Sequence, residues 1–153
     1  TLMSAKITPG HNYLISDGNS AYNYEITPTV KKALKAQTQH LIYHTNHCLD
    51  DALSSVEDQN NISKTTHARY KLVEKYIPSL TDEKSITELL MSHDGMPLSI
   101  CSHYAPEGAS DPSQTCGGAI YNFNTQIFKA WRGCKIHDSN YREVEIPLQL
   151  ASK

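Results

Sequence analysis

The sequence NYLISDGNSAYNYEIT, residues 12–27, predicts a β-hairpin and so the beginning of an antiparallel sheet. Residues 12–16 form a short, mostly apolar run that suits a strand. Residues 17–20 read Asp-Gly-Asn-Ser, the composition of a tight turn. The second strand alternates, with tyrosines on one face and Asn23 and Glu25 on the other.

Working outward from the hairpin, hydrophobic spacing and turn residues predict further strands and two helices. The predicted elements are a short helix or ragged strand at 30–37, a buried strand at 41–43, a loop at 50–61, a helix from Ser63 or Thr65 to Pro78, a helix from Thr81 to just before Gly95, a loop at 105–114, and strands at 97–102, 115–123, 126–132 and 144–148. The helices lie together between groups of strands rather than alternating with them, which predicts an α+β fold. The predicted hairpins leave sheet edges uncovered, so residues 1–153 are expected to form a single, partial domain.

The composition excludes several classes of function. The chain has 153 residues, 39% of them apolar, and a formal net charge of −2, so nothing favours binding to nucleic acid or to an anionic membrane. No apolar run has the length of a membrane span, and residues 1–10 lack a signal-peptide layout. A cytoplasmic location is therefore favoured, and no cofactor is predicted.

Four cysteines occur with wide spacing, at positions 48, 101, 116 and 134. No C-x-x-C pair is present, which argues against a zinc ribbon and against a thioredoxin-like motif. We expect buried free thiols, with Cys101, Cys116 and Cys134 as core or structural residues.

The run His44-Thr45-Asn46-His47-Cys48 is the densest cluster of chemically capable side chains. It follows the predicted strand at 41–43, a position where loops often display functional groups. Asn46 is a candidate oxyanion donor, because a neutral amide donates a hydrogen bond without a charge to desolvate. The plainer alternative is a strand-end asparagine that satisfies backbone groups in a turn.

Two other interpretations of this run remain open on chemistry alone. His44, His47 and Cys48 are metal-ligand types, and His93, Cys101 and His103 offer further ligands. In a strand, however, His44 and His47 would point to opposite faces and would not converge on one ion. No metal site is therefore predicted. Cys48 with a neighbouring histidine as base is a second alternative, although such pairs are seldom adjacent in sequence.

Several motifs in order resemble the acyl-CoA:6-aminopenicillanic-acid acyltransferase family of N-terminal-nucleophile (Ntn) hydrolases, peptidase family C45, to which β-alanyl-dopamine hydrolase is related. The matching segments are Tyr13–Gly18, Glu25–Pro28, His44–Leu49, Thr66–Arg69, Met96–Cys101 and the hairpin at 115–133. Together they cover roughly residues 12–135, nearly the whole chain.

The resemblance implies part of a four-layer αββα sandwich and an enzyme made by autocatalytic cleavage of a precursor. Cleavage in that family exposes a cysteine whose own α-amino group serves as base, since this group titrates near neutrality. The thiolate attacks an amide or thioester, and the acyl group passes to water or an amine. By position, Asn46 matches the family's side-chain oxyanion donor, with His44, Thr45 and His47 as supporting residues.

The sequence also departs from the family pattern. The family's nucleophilic cysteine lies well before the His-Thr-Asn-His run, whereas none of the 43 residues before His44 is a cysteine. The stretch 111–114 lacks the arginine of the family's Ser-Arg pair. Thr1 is a chemically capable nucleophile, but the downstream motifs place it inside the domain rather than at the catalytic strand.

The leading expectation is a subunit or fragment of a cysteine amidohydrolase or acyltransferase that contributes Asn46 and part of the acyl pocket. Its partners would be the nucleophile-bearing chain or segment of the same precursor, as in a heterodimer, and a small acyl-amide or acyl-thioester substrate. The alternative is a non-catalytic remnant of the fold that binds a ligand or partner without turnover.

Overall fold

Residues 12–27 form the predicted hairpin in the computed structural model of the chain. Strand β1 (His11–Ser16) pairs antiparallel with β2 (Ala21–Ile26), and β3 (Lys31–Leu34) pairs with the other edge of β2. Asp17 Oδ1 closes the turn by accepting the N–H groups of Asn19 and Ser20 at 3.0 and 2.9 Å. Gly18 has a φ of 88°, which glycine adopts without strain.

The structure describes residues 2–36, 38, 40–103 and 114–148. The chain divides into two compact units, residues 1–70 and 71–153. The strand alternative predicted for residues 30–37 is confirmed by β3, and the mixture of helices and antiparallel sheets agrees with an α+β fold. Thr1 and most of the loop predicted at 105–114 lie outside the described residues.

The first sheet carries its polar face inward. Asn23 is 1% exposed and Glu25 is 2% exposed, whereas Tyr22, on the opposite face, is 52% exposed. Tyrosine tolerates this position because its hydroxyl is readily hydrated. The sheet therefore directs a carboxylate rather than aromatic side chains into the interior of the first unit.

Two predictions for the first unit are wrong. Residues 41–43 form no strand; this segment runs without a ladder, and Tyr43 packs its ring 4.8 Å from that of Tyr70. The segment predicted as loop contains the short helix α1 (Asp51–Ser54), because the Asp50 side chain caps the N–H groups of residues 52 and 53.

Helix α2 (Lys64–Tyr76) begins after Ser63, as predicted, and Ser63 Oγ accepts the N–H of Thr65 at 3.2 Å. A 3₁₀ turn (Ile77–Ser79) containing Pro78 follows it. A second 3₁₀ turn, Leu2–Ser4, precedes β1. The buried residues of α2 are Thr65 and Thr66, so its first turn faces the interior.

The second unit contains helix α3 and a three-stranded antiparallel sheet. Helix α3 (Glu83–Leu90) is capped one residue later than predicted, because Asp82, not Thr81, forms the capping box with Ser85. The predicted end just before Gly95 is wrong, since the helix ends at Leu90. Strands β4 (Gly117–Asn122), β5 (Ile127–Arg132) and β6 (Arg142–Pro147) follow in the spatial order β4-β5-β6. The three C-terminal strands predicted from the sequence are confirmed.

Two predictions for the second unit are corrected. Residues 97–102 form turns and bends rather than a strand, because their backbone groups bind other loops; the N–H of Cys101 donates to the Ser92 carbonyl at 3.0 Å. All four thiols are free, and Cys101 and Cys134 are buried as expected, but Cys116 is exposed. Among the described residues, no helix has both the length and the apolar character to span a membrane.

Replacing Gly118 with alanine is expected to destabilise the second unit. A Cβ atom at Gly118 would lie 2.3 Å from Cζ2 of Trp131, the buried residue opposite it in the β4–β5 register. The overpacking should cost about 1–3 kcal/mol in the free energy of unfolding, measured by denaturant titration of the full-length protein. Gly10→Ala is the matched control, since its Cβ would meet atoms at 3.8 and 3.9 Å. Equal stabilities for the two variants would contradict this packing.

Candidate functional site

A groove of about 680 Å³ lies in the first unit, between the hairpin and the loop that carries the His-Thr-Asn-His-Cys run. Polar and apolar side chains both line it. The lining residues are Gly10, His11, Asn12, Leu14, Glu25, Ile26, Thr27, Pro28, Thr29, His44, Thr45, Asn46, His47, Cys48, Leu53, Val56, Glu57 and Asp58. All four predicted site residues, from His44 to His47, thus border one groove.

The Glu25 carboxylate joins the sheet to the loop. Its Oε1 accepts hydrogen bonds from His44 Nε2 and from the N–H of Leu49, both at 2.6 Å, and its Oε2 accepts the N–H of Asp50 at 3.0 Å. Burial raises the pKa of Glu25, but the hydrogen bonds outweigh it and hold the pKa below its ordinary value of 4.5. The carboxylate is therefore ionised at neutral pH and holds both ends of the loop.

Asn46 is held from its backbone and from its side chain. Its N–H donates to Thr66 Oγ1 at 2.7 Å, and Arg69 Nη2 donates to its Oδ1 at 2.8 Å. Because an arginine side chain has no acceptor, this contact identifies the Asn46 atom facing it as the oxygen. The amide is thus oriented with Nδ2 as the donor end, on a residue that is exposed at the groove.

His47 supports the same arrangement as a neutral group. Its Nδ1 lies 3.0 Å from Thr45 Oγ1 and 3.2 Å from the buried Thr66 Oγ1. Burial lowers the pKa of His47, and the neighbouring His67, whose ring lies 4.1 Å away, lowers it further. A neutral imidazole leaves the Asn46 region without an extra positive charge.

Cys48 is poorly suited to act as a nucleophile. Burial raises the pKa of its thiol to about 12, and the carboxylates of Glu57 and Glu25 contribute to the shift. Its N–H donates to Glu57 Oε1 at 2.9 Å. At pH 7 the thiolate would be about one part in 10⁵, compared with a few per cent for an ordinary thiol.

The metal interpretation of this loop is not supported by the geometry. His44 Nε2 is bound to Glu25, whereas His47 Nδ1 faces two threonine hydroxyls, so the two imidazoles are directed to different partners. Among the described residues, the side chains close enough to share a metal ion lie instead in residues 71–153.

Comparison with known proteins places the chain in a family. The family model described as acyl-coenzyme A:6-aminopenicillanic acid acyl-transferase matches residues 2–128, well over half of the chain. The chain belongs to this family. Its members are Ntn-hydrolase-like, and membership supports an acyl-transferring or amide-cleaving activity at a coarse level. No curated protein matches the sequence.

The sequence did not single out three residues on which the candidate site depends. Glu25 was assigned only to one face of a strand, and Thr66 and Arg69 only to a helix start. An acidic residue opposite the tyrosine face of a hairpin is a weak signal for a buried carboxylate. The pairing of Arg69 with Asn46, 23 residues away, has no signal in the spacing.

Glu25→Gln is expected to destabilise the first unit by about 2–4 kcal/mol, because it removes the buried negative charge that three donors share. The loss should be full above pH 4.5 and should shrink as the pH falls through the lower folded pKa, where wild-type Glu25 is itself protonated. Denaturant unfolding of the full-length protein across this pH range measures both effects.

The control for this experiment is Glu88→Gln. Glu88 makes an exposed contact with Lys84 at 3.8 Å, so its loss should change stability by about 0.5 kcal/mol or less at every pH. A Glu25→Gln effect as small as that of the control would show that the carboxylate does not hold the loop.

Proposed function

We propose that this chain is part of a cysteine Ntn amidohydrolase or acyltransferase, in which Asn46 stabilises the oxyanion that forms during acyl transfer. The observation that carries the proposal is the hydrogen bond from Arg69 to Asn46 Oδ1. This bond fixes the amide with Nδ2 as donor before any substrate arrives. Preorganised donors of this kind stabilise developing negative charge without reorganising during the reaction.

The size and lining of the groove favour an acyl substrate. Its volume of about 680 Å³ lies within the range of small-molecule sites. Leu14, Ile26, Leu53 and Val56 supply apolar lining, and Asn46 supplies a polar group at the same groove. An acyl chain with a carbonyl at one end matches this division between apolar and polar lining.

The proposed reaction proceeds through an acyl-enzyme. A cysteine thiolate attacks the carbonyl carbon of an amide or thioester, and the carbonyl π electrons move to the oxygen, where Asn46 Nδ2–H donates a hydrogen bond. Collapse of the tetrahedral intermediate expels the amine or thiol, which takes the proton that the nucleophile's base removed. Water or an amine then attacks the thioester of the acyl-enzyme, which releases the acid or the new amide and restores the cysteine thiol.

The nucleophile in this proposal is supplied by a segment other than residues 1–153. Cys48 borders the groove but is held in the thiol form by burial and by neighbouring carboxylates. A cysteine with its own α-amino group as base would not need such an environment, since an α-amino group has a pKa of about 8. We infer that such a segment and this chain are both parts of a four-layer αββα sandwich.

Exposed apolar residues on the sheets support a covering segment. Leu14 and Ile15 are neighbours on the edge strand β1, so their side chains point to opposite faces, yet they are 51% and 46% exposed. Val144 and Ile146 on the edge strand β6 are 52% and 44% exposed. Edge strands with exposed apolar side chains are ordinarily paired with another strand or covered by a helix or loop.

Asn46→Asp in the full-length protein tests the hydrogen-bond donor of Asn46 separately from its contact with Arg69. Aspartate keeps an oxygen for Arg69 but has no N–H to donate, so folding should be retained while kcat falls about 100–1000-fold with little change in KM. The measurement is steady-state hydrolysis of a chromogenic acyl-amide, accompanied by thermal unfolding of the same sample.

Asn60→Ala is the matched control, because Asn60 is an exposed asparagine outside the groove lining. Its turnover should equal that of the wild type. Turnover of Asn46→Asp within about threefold of wild type, which is below ~1 kcal/mol, would remove Asn46 from the oxyanion site. Saturable ligand binding with no turnover in the wild type would favour a non-catalytic member of the family.

Mapping the acylated cysteine tests the origin of the nucleophile. The full-length protein is mixed with an acyl-thioester, quenched in acid and digested, and the acylated peptide is identified by mass spectrometry. We expect the acyl group on a cysteine outside residues 1–153, and we expect Cys48→Ser to retain turnover within about threefold, because a thiol of such high pKa contributes little thiolate. Acylation of Cys48, or loss of turnover in Cys48→Ser without loss of folding, would contradict the proposal.

A further inference from the structure

Four side chains with metal-binding atoms converge in residues 71–153, apart from the candidate acyl site. They are His93, Cys101, His103 and Cys134, and their ligand atoms all lie within 4.8 Å of one another. Cys101 and Cys134 are 4% and 5% exposed, and the histidines are half-buried. The group thus combines two thiols and two imidazoles in a largely enclosed place.

The distances approach those of a tetrahedral metal site. His93 Nε2 lies 2.9 Å from His103 Nε2 and 3.3 Å from Cys134 Sγ, and Cys101 Sγ lies 4.0 Å from His103 Nε2. Around a zinc ion with bonds of about 2.0–2.3 Å, tetrahedral ligand atoms are about 3.3–3.8 Å apart. Shifts of a few tenths of an ångström would bring these three distances into that range, and closing the widest separation, which is within 4.8 Å, would need up to about 1 Å.

Hydrogen bonding alone does not satisfy this group. Each imidazole Nε2 carries either one hydrogen or one lone pair, so His93 Nε2 makes one good bond, yet it faces both His103 Nε2 and Cys134 Sγ. Two Nε2 atoms at 2.9 Å also repel unless a proton lies between them. A cation that accepts a lone pair from all four atoms satisfies them together.

The loops that carry the ligands are held by backbone contacts. His93 follows α3, and Cys134 follows β5. Cys101 lies in a bend after Pro97, and His103 lies in the irregular segment that follows it. The N–H of Cys101 donates to the Ser92 carbonyl at 3.0 Å, which ties two of these loops together beside the ligands. Ser99 Oγ donates to the Cys101 carbonyl at 2.7 Å from a fully buried position.

His137 packs against both ligand histidines. Its ring lies 5.0 Å from that of His93 and 4.9 Å from that of His103, edge-on in each case. The rings of His93 and His103 are stacked at 5.1 Å. These contacts restrict rotation of the two imidazoles and keep both Nε2 atoms directed at the thiols.

We propose that the second unit holds a structural zinc ion in a Cys₂His₂ site, with the ligands His93, Cys101, His103 and Cys134. Two thiolates with two imidazoles are a ligand set that zinc favours over magnesium or calcium, which prefer oxygen. Four protein ligands fill a tetrahedral shell, so the ion stabilises loops rather than activating water. The site departs from the absence of metal predicted from the sequence.

Metal analysis and cobalt substitution test the site in the full-length protein. We expect about one zinc per chain after purification under reducing conditions, retained through dialysis and removed by a strong chelator with a fall in the unfolding temperature. Addition of Co²⁺ to the metal-free protein should give the intense visible bands of tetrahedral cobalt and a thiolate-to-cobalt charge-transfer band. These spectra report the ligands without any reference to catalysis.

Cys134→Ser and Cys116→Ser form a matched pair of variants. Cys116 is the exposed thiol of the same unit and lies outside the converging group, so only Cys134→Ser should lose the metal and the charge-transfer band. If Cys134→Ser does not fold, the cobalt spectrum of the wild-type protein decides alone. Weak octahedral cobalt spectra, no bound metal, or a Cys101–Cys134 disulfide in the protein as isolated would each overturn the proposal.

Discussion

The carboxylate of Glu25 is the interaction on which the rest of the candidate acyl site depends. Residues 41–49 form no strand or helix, so no ladder of backbone hydrogen bonds fixes them. A buried anion on the neighbouring sheet takes the place of that ladder by accepting hydrogen bonds at His44, Leu49 and Asp50. A charged acceptor is stronger than a neutral one, which suits a loop with few other anchors.

The same carboxylate affects Asn46 and Cys48 in different ways. It closes the loop so that Asn46 meets Thr66 and Arg69, which orient its amide as a donor. It also adds negative charge near Cys48, whose thiol is already disfavoured from ionising by burial. One electrostatic arrangement therefore orients a neutral amide donor and suppresses ionisation of the thiol two residues away. This is consistent with a nucleophile that comes from elsewhere in the enzyme.

Local features were predictable from the sequence and long-range ones were not. The Asp-Gly-Asn-Ser turn, the alternation in β2 and the periodic α2 each depend on residues close together in the chain, and all three form as predicted. Residues 41–43 were predicted as a strand because they form a short apolar run. Such a run can also be partly buried without pairing to another strand, as the packing of Tyr43 against Tyr70 shows. Which face of β2 is buried was equally undetermined, since alternation gives the period but not the direction.

The spacing of the four cysteines predicts little about a metal site whose ligands are distant in sequence. The absence of a C-x-x-C pair argues against a zinc ribbon, but not against a site whose ligands come from three loops. His93, Cys101 and Cys134 are such ligands, and the first and last are 41 residues apart. Backbone contacts such as Cys101 N–H to Ser92 bring those loops together, and no pattern in the sequence encodes them. The buried thiols of Cys101 and Cys134 lie beside histidine side chains, and the thiol of Cys48 lies beside carboxylates. Cys101 and Cys134 are buried, and Cys48 is half-buried beside carboxylates, so the surroundings of these three thiols are explained without a catalytic role.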